Sequence, residues 1–347
     1  MQSTEARKLR WLSAVALLAF ACGGPHSLRD FPVETLALPT GVIDPGRFGP
    51  AYGGGRIQSM VSDGAGSLYL TTADPYQVLR VGRDGTLLWA RNGAGAEEHP
   101  FRGPRLNVSI AGDRILVADS GASRVHELDA AGNEVGGAAV NAAYRAARSP
   151  EGNVFLYPNT QGFLLDTFDP RYRYLRSIIP LPGPSGQIAP SGCLLLPDSD
   201  GGVFALWNPT RTIYRLGPDG ERRGQFTLDP PDLVANVEYR TIDVKQRAEK
   251  VGGIGLIHPF LDFTGDREGR LAVLYLFEEV VPVAPGVPTH RAAVYRFTRD
   301  GEPVDVILGL GSSFRVAFGL DDEIFGFDPE ANLIHAYRIR PASGSAG

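Results

Sequence analysis

Between residues 56 and 340, short apolar runs alternate with turn-forming clusters, and the alternation repeats six times. The first copy runs Ser62-Asp63-Gly64-Ala65-Gly66, Leu68-Tyr69-Leu70, Val78-Leu79-Arg80-Val81, Arg83-Asp84-Gly85-Thr86, Leu87-Leu88-Trp89. The second has Gly112-Asp113, Ile115-Leu116-Val117, Arg124 to Leu128 and Ala131-Gly132-Asn133. The third has Glu151-Gly152, Val154-Phe155-Leu156, Phe163-Leu164-Leu165 and a looser turn near Arg171-Tyr172. The fourth has Asp200-Gly201-Gly202, Val203 to Leu206, Ile213 to Leu216 and Asp219-Gly220. The fifth has Glu268-Gly269, Leu271 to Leu274, Val294 to Phe297 and Asp300-Gly301. The sixth has Asp321-Asp322, Ile324 to Phe327 and Ile334 to Tyr337. Runs this short, bounded by glycine and aspartate, read as strands.

First and second turns lie 19, 20 and 19 residues apart in copies one, two and four, and 32 apart in copy five. An insertion over 278–291, rich in proline and read as a long hairpin loop, accounts for the excess. A tight turn between twisted strands needs positive φ, which glycine adopts at no steric cost. Four strands per copy at a period of about 40 residues is the pattern of propeller blades. The expected fold is therefore an all-β six-bladed propeller over residues 31–340. The sixth copy lacks a fourth strand, while Phe31 to Leu38 is an orphan strand-like segment ahead of the first copy. That segment is expected to complete the last blade and close the ring, hiding an otherwise open edge. A second insertion, from Asp229 to Gly252, has no clear helical or strand period.

Within the second copy, Val117-Ala118-Asp119-Ser120-Gly121-Ala122-Ser123-Arg124-Val125 resembles an NHL-type repeat, and TolB-like six-bladed propellers are the neighbouring family. The resemblance covers the architecture of 56–340 but has a sharp motif in one copy only. Asp119 and Arg124 within it read as an intra-turn ion pair.

The chain start has its own pattern. Arg7, Lys8 and Arg10 precede an apolar stretch from Trp11 to Ala21, and Ala19 and Ala21 flank Phe20 just before Cys22. Eleven helical residues rise only about 16 Å, too little to span a bilayer, so residues 1–21 read as a signal peptide. The placing of Cys22 resembles a bacterial lipobox, with Phe20 bulkier than the pattern usually has. The resemblance implies lipid on Cys22, a tether over 22–30 and a place in the cell envelope. Without an aspartate after the cysteine, it also implies sorting to the outer membrane. Residues 341–347 read as a flexible tail.

Composition narrows the function classes. The formal charge of −5 becomes −7 once residues 1–21 are removed, which disfavours nucleic acid as a partner. Cys193, in the run Gly192 to Leu196, reads as a buried inert thiol with no disulfide partner.

Catalytic signatures are missing: no Gly-x-Ser-x-Gly, no phosphate-binding loop, no zinc spacing among the six histidines. Asp198-Ser199-Asp200-Gly201 reads as a β-turn rather than a calcium loop. No catalytic residue, metal or cofactor is expected. One constellation stands out. In a propeller the innermost strands begin near one face of the central channel, and those starts carry Arg56, Arg105, Arg145, His258 and Arg315, with Gln187 in the fourth copy. Such a ring could capture an anionic ligand or an acidic segment of an envelope protein; alternatively these arginines pair with carboxylates or cap the channel. Tyr76, Phe101, Tyr157, Trp207 and Phe260 on adjoining loops are expected to offer apolar anchors. The resulting expectation is a monomeric, membrane-tethered binding or scaffolding module. The alternative is a metal-dependent envelope hydrolase, lactonase or lyase with its site in the channel.

Overall fold

The computed structural model describes residues 34–92, 101–141, 143–157, 162–181, 192–231, 233–235, 237–238, 246, 260–279 and 289–341. They form an all-β propeller. After β1 (Glu34–Ile43), the first sheet is β2 (Arg56–Ser62), β3 (Leu68–Ala73), β4 (Gln77–Val81) and β5 (Leu87–Asn92). The second is β6 (Leu106–Ala111), β7 (Arg114–Asp119), β8 (Arg124–Leu128) and β9 (Glu134–Ala139). The third is β10 (Arg145–Arg148), β11 (Val154–Tyr157), β12 (Phe163–Phe168) and β13 (Tyr174–Pro180). The fourth is β14 (Cys193–Pro197), β15 (Val203–Trp207), β16 (Thr212–Leu216) and β17 (Arg222–Thr227). Each is an antiparallel meander.

The last strands depart from the expected pattern. β18 (Phe260–Gly265), β19 (Leu271–Glu279), β20 (Thr289–Phe297) and β21 (Pro303–Leu308) share one eight-stranded sheet with β22 (Arg315–Phe318), β23 (Glu323–Asp328), β24 (Leu333–Pro341) and β1. Thus four blades stand as separate sheets, where the sequence pattern called for six. The cause is β1. It pairs antiparallel with β24, from Thr35↔Pro341 to Ile43↔Ile334, which makes it the fourth strand of the last unit. Its other edge pairs parallel with β21, Glu34↔Val306 to Leu36↔Leu308, and this welds the fifth and sixth units together. The strand runs on to Ile43, beyond the end of the orphan segment 31–38; residues 31–33 lie outside the described residues.

Ten hairpin turns share one geometry. In each, the first residue's N–H donates to the carbonyl four residues on, as in Asp63→Ser67, Gly82→Thr86 and Asp198→Gly202. The fourth residue has positive φ in all ten, and it is glycine in eight, from Gly66 to Gly301. The exceptions are Tyr172 and Asp322, the two places where the sequence pattern is loosest. This is the type I turn with a left-handed bulge residue, which suits twisted strands. Aspartate at the first position caps the turn with its side chain: Asp129 Oδ1 accepts from Ala131 and Asn133, and Asp266 Oδ1 from Glu268 and Arg270.

The core lies between units rather than within one. Six apolar clusters each join two successive units, and the last joins Phe325, Phe327 and Ile334 back to Ile57, Met60, Leu68 and Leu70 of the first. Each middle strand is therefore buried on both faces: Leu68–Ala73 and Val203–Trp207 are buried at all but their last residue, and Val203–Trp207 is apolar throughout. The innermost strands β2, β6, β10, β14, β18 and β22 contact one another in ring order, and β22 returns to β2. Their channel-facing edges would be left unpaired, and side chains of the preceding unit supply partners. Ser59 Oγ accepts from Val108 N–H, Ser109 donates to Ala146 O, and Asp262 Oδ2 accepts from Val316 N–H.

Both insertions differ from expectation. The described positions between 231 and 238 are helical, and Leu233 and Val237 are buried in the cluster between units four and five. Apolar residues at i and i+4 gave too short a period to register in a polar stretch. The second insertion begins later than expected, because β19 and β20 continue pairing through Glu278↔His290 and Glu279↔Thr289; residues 280–288 lie outside the described residues. The described chain also reaches one residue into the expected tail, at Pro341 of β24.

Candidate functional site

At the strand-start end of the channel lies a cavity of about 460 Å³ to which Arg56, Arg105, Arg145 and Arg315 all contribute. The topology gathers them because each stands at, or one residue before, the start of an innermost strand. Gln187 and His258 lie outside the described residues. The first residues of β14 and β18 are Cys193 and Phe260, so the fourth and fifth units present an apolar start.

The four arginines are not equivalent. Arg315 is fully engaged as a stitch: Nε donates to Gln58 O at 2.8 Å, and Nη1 to Leu261 O at 3.0 Å and Phe314 O at 2.6 Å. It ties the sixth unit to both its neighbours and faces the buried Asp262. Arg56, Arg105 and Arg145 have no ion pair or side-chain hydrogen bond among the described residues, and no carboxylate lines this cavity. Arg145 lies deepest. Burial, and then the like charge of Arg315, push its guanidinium down to about 10, still charged at neutral pH. None of the three forms an ion pair or hydrogen bond with a carboxylate among the described residues, and Asp262 acts on Arg145 only through its charge, while the capping reading holds for Arg315.

Arg145 also lines a second cavity, of about 580 Å³, at the turn end of the channel. That end has the opposite character, with Asp63, Asp198, Asp262 and Asp266 in its lining. Asp262 is buried, which pushes its carboxyl up against the pull of Arg315. The other turn-side acids are paired with arginines. Arg80 bonds Asp63 at 3.5 Å, Arg215 bonds Asp198 at 3.2 Å, and Arg296 bonds Asp266 at 3.2 Å and also Asp305. Arg299 pairs with Asp198 and Asp200. Arg80, Arg215 and Arg296 occupy the same position in the third strand of their units and reach the aspartate that opens the first turn. That repeat-wise pairing was missed in the sequence, although the recurring Asp and Arg were visible there.

Several expected features are corrected. Asp119 and Arg124 do not pair: Asp119 accepts from the N–H groups of Arg102, Gly121 and Ala122, and Arg124 pairs with Glu134 at 3.3 Å. The two face each other across β7 and β8, but three backbone donors claim the carboxylate first. Phe101, Tyr157 and Phe260 are buried at 4 %, 0 % and 1 % exposure and serve the core rather than a surface; Tyr76 and Trp207 are half-buried against it. Cys193 is buried and its thiol is pushed up by that burial. Asp198 opens a turn, accepting from Asp200 N–H. Among the described residues, no three His, Cys, Asp or Glu side chains gather as a metal site, and no helix is long and apolar enough to cross a membrane.

No family model matches the chain, and no curated protein matches it by sequence. Solved structures do. An exported protein from Bacteroides fragilis, described as putative, aligns over 90 % of this chain and 96 % of its own with a TM-score of 0.53 and 12 % identity. A DUF4221 family member from Bacteroides vulgatus aligns over 90 % and 98 % with a TM-score of 0.50 and 11 % identity. A virginiamycin B lyase from Staphylococcus aureus aligns over 89 % and 99 % at 0.47 and 12 %. At such identities the likeness shows the fold alone: the chain is a β-propeller protein.

Proposed function

We propose that this chain is an exported, lipid-anchored propeller that binds an anionic ligand at the strand-start end of its channel. The observation that carries the reading is the set Arg56, Arg105 and Arg145, three guanidinium groups on one cavity without a carboxylate among the described residues. Arg145 is half-buried and Arg56 and Arg105 are exposed; gathering three like charges on one cavity costs free energy, and a chain rich in acids had every opportunity to place a carboxylate among them. A bound anion offsets that cost, and guanidinium is the side chain best shaped for carboxylate or phosphate. The fold is a rigid scaffold for such a site.

Two experiments test the proposal. Titration calorimetry at low ionic strength should detect binding of small carboxylates or phosphates by the wild type. Arg145→Met should weaken it at least tenfold, and a wild type that binds no anion would end the reading. The anchor rests on the lipobox-like Cys22, and mass spectrometry of the mature N-terminus should find a lipidated cysteine there.

A further inference from the structure

The anion-binding reading says what charge the ligand carries, and the cavity walls say what it is attached to. Besides the arginines, the cavity is walled by Tyr144, Phe260, Phe314 and Phe327. Phe260 and Phe327 are each 1 % exposed and form the backing, while Tyr144 and Phe314 are half-buried and keep surface toward the space. About 460 Å³ lies within the usual range for small-molecule sites. It is far more than an inorganic anion fills, and such an anion would leave the aromatic walls wet.

Peptides are disfavoured for a different reason. A peptide brings backbone N–H donors, and each needs an acceptor once water is excluded. This cavity offers none from carboxylates. Of its two amides, Asn107 is the one uncommitted among the described residues, whereas Gln58 is engaged at both ends, Nε2 donating to Pro104 O at 2.6 Å and Oε1 accepting from Leu106 N–H at 2.8 Å. The nearby carbonyls of Gln58, Leu261 and Phe314 already accept from Arg315. The site supplies cationic donors and apolar area, and almost no free acceptors.

Resting on the anion-binding reading, the geometry points to a small organic anion with an aromatic or flat apolar body, its carboxylate or phosphate held by Arg145 with Arg56 and Arg105, its body against Tyr144 and Phe314. Such a ligand pairs the guanidinium groups, covers the aromatic surface and brings no donor that would go unmatched. Arg145, deepest of the three, sets which end enters first.

The test is a calorimetric series on the wild-type protein with three probes: inorganic phosphate, phenyl phosphate and hexaglutamate. Phenyl phosphate is expected to bind at least tenfold more tightly than inorganic phosphate, with hexaglutamate weakest. Phe314→Ala should erase the phenyl advantage while leaving inorganic phosphate binding within twofold, and Arg145→Met should weaken both phosphates. Equal affinity for the two phosphates would overturn the apolar-body assignment while the anion site stands. Tightest binding by hexaglutamate would overturn it in favour of an acidic peptide. If none of the three binds, the anion reading falls and takes this inference with it. The wild-type series decides these outcomes without relying on any variant to fold.

Discussion

The arginines of the turn-side rim and those of the strand-start chamber are one residue type in opposite settings. On the rim, Arg80, Arg215, Arg296 and Arg299 each meet aspartate, and Arg80 and Arg215 also lie over aromatic rings, at 5.4 Å from the Tyr69 centroid and 5.7 Å from Phe204. Arg80, Arg215 and Arg296 lock the first turn to the third strand of their own unit, while Arg299 reaches across to the first turn of the fourth unit. In the chamber, Arg56 and Arg105 have no ion pair among the described residues, and Arg145 has the buried Asp262 near it but no hydrogen bond to it. The contrast separates arginines that hold the fold from arginines that stand ready for something else. Charge count alone would not do so, since both groups look alike in composition.

The largest expected effect is on the rim. Arg296 is buried between Asp305 and Asp266, and Arg296→Leu would leave the buried Asp305 with only the Thr35 hydroxyl and Asp266 with Arg270 alone as a cationic partner. Stability should fall by about 3–5 kcal/mol, read as a lower denaturant midpoint. In the chamber the same kind of change should have a different consequence. Arg145→Met removes a half-buried charge that has no hydrogen-bonded partner among the described residues, so stability should stay within about 1 kcal/mol of the wild type while anion binding is lost. If Arg145→Met destabilised the protein as much as Arg296→Leu, the distinction between the two regions would collapse.

A pH experiment sharpens the comparison further. His126 on β8 is buried, and burial lowers its pKa below the usual 6.5 despite Glu134 and Asp119 nearby. The unfolded chain therefore takes up a proton before the folded one does. Stability should decline as pH falls through about 6.5, with a slope of up to about 1.4 kcal/mol per pH unit. Replacing His126 with Gln should flatten that part of the curve. The buried Asp262 acts with the reverse sign, since its raised pKa means that acid relieves its cost. Asp262→Asn should therefore steepen the acid-side loss of stability, as followed by denaturant titrations at several pH values.

The smallest effect is expected in the turns. Asp322 has φ 61° at the bulge position that glycine fills in most of its counterparts, and it is exposed. Asp322→Gly should stabilise by about 0.5 kcal/mol. Gly220→Ala, at φ 81° with Thr167 Cγ2 3.1 Å from the added Cβ, should cost somewhat more. Both are measurable by equilibrium unfolding.

Much of this architecture could be read from residue order, because its causes are local. An Asp-Gly pair sets a turn within five residues, and an apolar run of five sets a strand, so copies one to six were legible, as was the missing fourth strand of the last. The locations of Arg56, Arg105, Arg145 and Arg315 at strand starts were legible for the same reason. The shared eight-stranded sheet was not, because β1 chooses its second partner, β21, from some 270 residues away. The buried face of the helical stretch near 233 was hidden by polar neighbours, and Asp119 and Arg124 looked like a pair because sequence shows proximity but not competing backbone donors.

Turn chemistry and strand periodicity thus determined the repeat and the need for an N-terminal strand, but not that only four blades stand as separate sheets. Only the tertiary structure decided that Arg315 is spent on carbonyls of three segments, that Arg145 stands between two cavities, and that the last two units merge. The reason is physical: a turn depends on its own few residues, whereas the partner of a charge or of a strand edge depends on what the closed ring brings beside it.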